Sequence, residues 1–415
     1  MKRQRKRVLY ICNLLSDRII KARELRPASM TCTGRLIPVL RACRQGGTAV
    51  WALSLGRNRQ RATYKWYPAG AARIDGVPVV FAAFWDCPVL THVVTILSLG
   101  IITWRLRDRV ASTVFWNAMP HYVLALFVAR LAGIRCVLDL EDGVREDIRG
   151  FTGAVQRCLL RMWDRCADAA MVANASLQNQ IKTRPAYLYY GVAPLIPVNR
   201  PWDGELQALF SGHISMDTGV ENLIDALRVL KETSPRTSSG IRVIAVGDGN
   251  LTDRMRSAAA GELSGILEFR GRVTDDEYQE LLRTSHIGLC LKMPNHSMGQ
   301  TTFPSKVIEF ASWGLLVVSY RVSDVPVLFP ENGAILLEET TPHKLASALK
   351  QIVEAPSEAH GRAEAGRCAI AIRLNPQSVA RDLASLWLGY EPIRDIKGSR
   401  TSVVDRTSVH TVEGG

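Results

Sequence analysis

Phe303-Pro304-Ser305-Lys306-Val307-Ile308-Glu309-Phe310-Ala311-Ser312-Trp313-Gly314, followed by Leu315-Leu316-Val317-Val318-Ser319, decides the fold class of this 415-residue chain. Pro304 and Ser305 are a helix-start signal, because proline fits the first turn and a serine side chain can cap free backbone N–H groups. Gly314 is a stop signal, and the apolar run behind it reads as a buried parallel strand. A short helix opening on the carboxyl side of a sheet is a ready phosphate site. Lys306 adds a cation there, and Glu309 sits one turn further along.

The same alternation of strand and helix runs outward in both directions. In the first half Val8–Leu15 is strand-like, and a polar loop reaches Gly34. A helix over Leu36–Cys43 then ends at Gly46-Gly47 before strand Thr48–Leu53. Strand Val114–Asn117, helix Pro120–Ala132, strand Cys136–Leu140 and strand Ala169–Ala173 continue the pattern, and Tyr187–Val192 leads into a linker marked by Pro194, Pro197 and Pro201. In the second half Leu209–Ser211, Ile241–Val246, Ile266–Phe269, Ile287–Leu291, Leu315–Ser319 and Ala334–Leu337 read as strands. Helices over Val220–Glu232 and Pro342–Val353 complete a doubly wound sheet, and Thr274 with Glu277 is a capping box ahead of another. Gln377–Leu388 is a late amphipathic helix, and Glu391–Gly415 lacks a periodic apolar face and reads as disordered. The expected organisation is α/β, with one Rossmann-like domain over residues 1–195 and a second over 196–375. A helix over 376–390 crosses back, and 391–415 is a tail.

Charge is placed unevenly. Residues 1–195 hold 29 Lys and Arg against 12 Asp and Glu, a net +17, whereas the remainder holds 23 against 27. Scattered arginines usually form only a solvated surface, but an asymmetry of this size favours an anionic partner for the first half: a membrane surface, a phosphorylated lipid or a nucleic acid. Nine cysteines without C-x-x-C pairs suggest neither a zinc site nor a disulfide framework, which fits a reducing compartment. Pro88–Trp104 is too short and too polar for a transmembrane helix and reads as buried or interfacial. The basic run Lys2–Arg7 before Val8–Leu15 lacks a small-residue cleavage site and reads as a lead-in to the first strand. Between Gly56 and Gly70 an arginine-rich loop interleaves Tyr64, Trp66 and Tyr67. That composition suits a membrane interface, base stacking or a plain exposed loop.

Ser305-Lys306 followed by Glu309-Phe310 and Gly314 resembles the donor-binding segment of the retaining nucleotide-sugar glycosyltransferases of the GT-B type, family 4-like, built from two Rossmann-like domains. The resemblance implies two domains facing each other across a cleft, with the nucleotide sugar held by the second and the acceptor by the first. It implies a donor role for Phe303, Ser305 and Lys306, and a catalytic or sugar-binding role for Glu309. Gly212-His213 through Thr218-Gly219 resembles the loop where the family usually carries an Arg or Lys and then a Lys on the donor diphosphate; His213 and Thr218 stand at those positions. Gly247 and Gly249 match the strand-turn before a nucleotide-facing helix, although a tight turn explains glycines equally well. Arg270 or Arg272 lies where the nucleobase is often bordered. Thr301 takes the place of a glutamate eight residues before Glu309. On the acceptor side the resemblance points to His121, and to Glu141 and Asp142, which replace a His-Asp pair near the reacting sugar. Asp139-Leu140-Glu141 has the form of a D-x-D metal motif, but the surrounding architecture argues against metal, and no cofactor is expected.

These features imply transfer of a sugar to a lipid-linked or saccharide acceptor in cell-surface polysaccharide assembly. The chain would be cytoplasmic, peripheral on an anionic membrane face, with no nucleic acid as partner. The alternative is a catalytically silent nucleotide-sugar-binding or scaffold protein, for which Thr301, His213 and Thr218 speak. Nucleic-acid binding is a third reading, supported only by charge and the Tyr64–Tyr67 loop.

Overall fold

Runs of β-branched and other apolar residues bounded by turn residues form the strands of this computed structural model, which describes residues 7–25, 31–58, 63–144, 150–183, 185–295, 299 and 302–390. In the first half these are β1 Arg7–Cys12, β2 Ala49–Ser54, β3 Trp66–Tyr67, β4 Gly70–Ile74, β5 Val77–Phe81 and β6 Phe84–Trp85, then β7 Ser112–Trp116, β8 Arg135–Leu140, β9 Ala169–Val172 and β10 Ala186–Leu188. Eight of them form one sheet in the order β10-β9-β8-β7-β1-β2-β5-β4, with only the β5–β4 pair antiparallel. β3 and β6 make a separate ribbon. The second half contributes β11 Leu206–His213, β12 Ile241–Asp248, β13 Leu267–Gly271, β14 Ile287–Cys290, β15 Leu316–Tyr320 and β16 Ile335–Leu337. They pair in parallel in the order β13-β12-β11-β14-β15-β16. Strand order reverses between β1 and β7 in one sheet and between β11 and β14 in the other. Ligand crevices of α/β sheets open at the carboxyl ends of such switch points.

The decisive stretch forms helix Lys306–Ser312, a left-handed Gly314 (φ 69°) and strand β15. Ser305 does not cap it. Its own backbone is helical (φ −55°, ψ −19°), whereas a capping serine needs an extended one. The N–H groups of Val307 and Ile308 instead bond the carbonyls of Pro304 and Ser305 in a tight turn. Gly34 lies inside helix Thr31–Gln45 rather than at its start, so it forms no loop–helix cradle. Tyr187 belongs to the edge strand β10, after which residues 189–202 form no helix or strand. Helix Pro356–Arg373 is additional; its buried Ala359, Ala363, Gly366 and Ile370 are mostly too small to leave a periodic apolar signal.

Helix Pro376–Leu388 returns to the first half. Asn375 caps it, accepting from the N–H groups of Gln377 and Ser378. Its Trp387 is fully buried, edge-on to Tyr10 (ring centroids 5.7 Å), and donates to the sulfur of Met171 at 3.1 Å. Arg135 Nε donates to the Leu386 carbonyl at 3.2 Å. A second bridge lies at the cleft. Asp324 accepts from the Ala175 N–H at 2.6 Å and from the Tyr190 hydroxyl at 3.0 Å, and the Tyr190 ring packs 5.0 Å from Phe303. A cavity of about 390 Å³ opens beside this bridge, lined by Asn174 and Ala175 of one half and Pro294, Gly299, Arg321 and Asp324 of the other. The expected tail at 391–415 lies outside the described residues.

Candidate active site

At the β11 side of the second switch point, four side chains close into one network. The Tyr278 hydroxyl lies 3.0 Å from Ser211 Oγ and donates to Glu309 at 2.9 Å. Lys306 Nζ donates to the same carboxylate oxygen at 2.6 Å and to the Tyr278 oxygen at 2.7 Å. Burial opposes the charge on Lys306, but Glu309 and Tyr278 outweigh it and raise its pKa. Lys306 is therefore neutralised locally by the residue three positions on, and is not a free phosphate cation in this state. Glu309 keeps about a third of its side chain exposed (34%), so it can still meet a hydroxyl from the cleft.

The loop after β11 is held by its own backbone. The Thr218 hydroxyl donates to the His213 carbonyl at 2.6 Å, and His213 Nδ1 donates to the Asp248 carbonyl at 2.9 Å. Gly247 and Gly249 have packing reasons: a Cβ on Gly247 would lie 1.8 Å from the Gly212 carbonyl oxygen, and one on Gly249 would lie 2.2 Å from that of Ile214. A Cβ on Gly212 would meet open space. Arg272 pairs with Asp248 at 3.4 Å, and Arg270 with Glu268 at 2.6 Å, both on the surface. Thr301 lies outside the described residues.

Lys292, which no sequence signal singled out, supplies a cation beside this loop. It lies two residues past the end of β14, and the Met293 N–H donates to the Asp217 carbonyl at 2.9 Å, so strand end and loop are joined there. Its ammonium donates to both oxygens of Thr302. Burial lowers its pKa, against the pull of neighbouring groups that include Asp142 and Asp217. Asp142 belongs to the other half, so Lys292 faces the cleft.

On the first-half side the three carboxylates separate. Asp139 accepts from the Tyr10 hydroxyl, and burial pushes its pKa well up. Glu141, 8% exposed, pairs with Arg35 at 2.6 Å; burial raises its pKa and Arg35 opposes the rise. Both are turned into the packing beneath the sheet. Asp142 is the one left near Lys292. Asn117 fixes it: in a left-handed conformation (φ 59°) its side-chain oxygen accepts from the N–H groups of Glu141 and Asp142 at 2.8 and 3.0 Å, and its amide donates to Asp142 at 3.0 Å. Among side chains asparagine tolerates that backbone best, a signal readable at Trp116-Asn117-Ala118 only once the strand end is known. His121 lies apart, its ring stacked on His92 with centroids 5.0 Å apart. Burial first, then Arg57 and His92, lower its pKa to about 4. Among the described residues no group of three His, Cys, Asp or Glu side chains is placed to hold a metal ion.

Residues 205–355, the part that contains the Lys292, Thr302 and Glu309 groups, match the family described as glycosyl transferases group 1. They are a group 1 glycosyl transferase domain. The chain is thus a glycosyltransferase, and its two facing α/β domains recur in solved structures. HepE of Anabaena, solved with UDP and glucose, is 12% identical, with 92% of this chain and 98% of that one covered and a TM-score of 0.66. TarM, known from S. aureus, is 8% identical over the same shares, also at 0.66. Sucrose-phosphate synthase of Thermosynechococcus elongatus is 14% identical, again over 92% and 98%, at 0.63. At these identities the likeness is one of fold. No curated protein matches the sequence significantly.

For this glycosyltransferase, Glu309→Gln removes the anion that Lys306 and Tyr278 share. With the pair about a third exposed, solvent screening limits the loss of stability to about 1 kcal/mol. Donor affinity should fall along with it, because the freed Lys306 no longer orders Tyr278 at the β11 end. Thermal melting and donor binding check both effects, and unchanged donor binding would remove Glu309 from the site.

Proposed function

We propose that the enzyme is a retaining, family 4-like glycosyltransferase that moves a sugar from a nucleotide-sugar donor to a lipid-linked or saccharide acceptor, in the assembly of cell-surface polysaccharide. The observation that carries this reading is Lys292, bonded to Thr302 and acted on by the charge of Asp142 from the other half, within a chain whose residues 205–355 match group 1 glycosyl transferases. Fold alone would not suffice, since such folds host many chemistries. The HepE structure with UDP and glucose supports a uridine nucleotide sugar as the first donor to try.

In this mechanism the diphosphate lies at the carboxyl ends of β11 and β14, and Lys292 balances its charge. Lys292 takes over from the cations that His213 and Thr218 do not provide. Gly212 leaves room for the nucleotide, and Glu309 accepts hydroxyls of the ribose or sugar. Lys306 orients Glu309, and Phe303 ties the donor loop to Tyr190 across the cleft. Asp142, held by Asn117, meets the acceptor hydroxyl or the positive charge that develops at the sugar. Holding both reactants in a closed cleft supplies several kcal/mol toward the barrier. No metal is required, because Lys292 supplies the electrophilic charge, and Asp139 and Glu141 are already committed to Tyr10 and Arg35.

The acceptor side faces an anionic membrane at the cytoplasmic surface. No helix among the described residues is long and apolar enough to cross a membrane. Helix Leu90–Leu106 instead presents exposed Leu90, Val93, Leu97, Ile101 and Trp104, with Arg105 and Arg109 exposed at its end. A panel of nucleotide sugars, tested for protection against thermal unfolding and for slow donor hydrolysis, checks the donor assignment. One nucleotide should raise the melting temperature and be hydrolysed. Stabilisation without any hydrolysis or transfer would favour the silent-binding alternative, and no stabilisation by any member would sink both.

A further inference from the structure

Where β1, β2 and β7 end, the charge of Arg57 lacks a counter-ion among the described residues. Arg57 follows β2 and is only 8% exposed, yet among the described residues no carboxylate bonds it. Burial lowers its pKa; the Tyr122 phenol opposes that shift, and no carboxylate does. Its Nη2 lies 3.1 Å from His92 Nδ1, and the same nitrogen lies 2.8 Å from His121 Nε2. A guanidinium only donates, so His92 Nδ1 accepts. His121 Nε2 must then be the second donor to it, and the proton of a neutral His92 sits on Nε2. His92 is exposed and His121 half-buried, so the cluster is reached from solvent.

Beneath them several polar atoms are buried without partners: Arg57 Nε, His121 Nδ1, the Tyr122 hydroxyl and Asn13 Oδ1. Asn13 is joined to the group through its amide, which donates to the Arg57 carbonyl at 2.9 Å. Burying a guanidinium with an unused N–H and no anion among the described residues costs stability. Such a cost is offset when a ligand brings the anion. Arginine with imidazole N–H groups is suited to phosphate oxygens.

We propose that Arg57 and His92, the latter oriented by His121, seat a phosphoryl group of the acceptor, an inference that rests on the first half being the acceptor side. The phosphate takes the free Arg57 N–H and the His92 Nε2–H. It thereby places an acceptor hydroxyl toward the cleft where Asp142 lies. The exposed apolar helix Leu90–Leu106 carries His92 in its first turn, so a lipid attached to that phosphate would leave the site along an apolar surface.

The test follows the imidazole NMR signals of the full-length protein, assigned with His92→Gln and His121→Gln, as inorganic phosphate, farnesyl phosphate or farnesol is added. Both phosphates should shift the two signals and farnesol should not. Tighter binding of farnesyl phosphate than of inorganic phosphate identifies a lipid-linked source, and equal binding a soluble one. Arg57→Gln should weaken the response at least tenfold and Arg57→Lys less. Unshifted imidazoles in the wild-type protein, an equal response to farnesol, or an equal response in Arg57→Gln would each overturn the proposal. The wild-type signals decide the matter even if Arg57→Gln does not fold. Nucleotide-sugar binding measured on the same samples separates this failure from failure of the donor assignment.

Discussion

Lys292→Met should lower nucleotide-sugar affinity about 10- to 100-fold, since a hydrogen bond to a charged group contributes about 1.5–3 kcal/mol. The effect should exceed that of Lys306→Met, whose ammonium is already satisfied by Glu309 and Tyr278. Stability should move the other way. Burial holds the folded-state pKa of Lys292 below its ordinary value, so the folded chain releases this proton before the unfolded chain does. The resulting penalty is fully present at neutral pH and fades only as pH rises through the folded pKa. A methionine of similar length removes the penalty, so the melting temperature should hold or rise at pH 7 while donor binding collapses. Calorimetric titration with the donor identified by the nucleotide-sugar panel, beside a thermal melt, gives both numbers. Undiminished affinity in Lys292→Met would return the diphosphate to Lys306 or to the turn before it.

That Lys292 escaped a reading of the sequence has a physical cause. A lone lysine after an apolar strand is indistinguishable from a surface residue until the neighbouring strand is known. Only the pairing of β14 with β11 brings it beside Asp217 and Thr218. The periodic signals were legible: the strands of the second sheet, the Thr274–Glu277 capping box with bonds of 3.3 and 2.8 Å, and the helix that ends at Gly314. The Asp75-Gly76 turn between β4 and β5, with φ values of 47° and 79°, was not read, although its residue types are those of a tight hairpin turn. What could not be read is partnership across long separations. Tyr10 with Asp139, and Arg35 with Glu141, withdraw two carboxylates that spacing alone places at a site. The i,i+3 pairing of Lys306 with Glu309 was within reach of local rules, because residues three apart face each other on a helix.

Helix Leu90–Leu106 inverts the usual arrangement. It turns Thr91, Thr95, Gly100 and Thr103 inward, and Leu97, Ile101 and Trp104 outward at about half exposure, 49%, 51% and 49%. The inward hydroxyls cost little, because Thr95 and Thr103 donate to the carbonyls of Thr91 and Leu99 at 2.6 and 2.8 Å. Gly100 lets the neighbouring helix Val123–Leu131 approach, and that helix adds exposed Phe127 and Leu131. The Arg107 guanidinium covers the Trp104 ring at 4.1 Å. An apolar stripe ending in arginines, on the half with a net +17, fits a bilayer with anionic headgroups. The wild-type protein should therefore bind phosphatidylglycerol-containing vesicles and bind phosphatidylcholine vesicles much less. Salt should weaken the binding, because exposed charges are screened over about 8 Å at physiological ionic strength. Leu97→Glu with Ile101→Glu should reduce vesicle binding more than tenfold without unfolding the chain, since both positions are half exposed. Nucleotide-sugar binding should be unaffected, because the proposed donor site lies in the other half. Equal binding to neutral and anionic vesicles would show that charge is not the cause. Unchanged binding by the double variant would move the membrane contact to another face, with the β3–β6 ribbon and its exposed Trp66 and Trp85 the next to test.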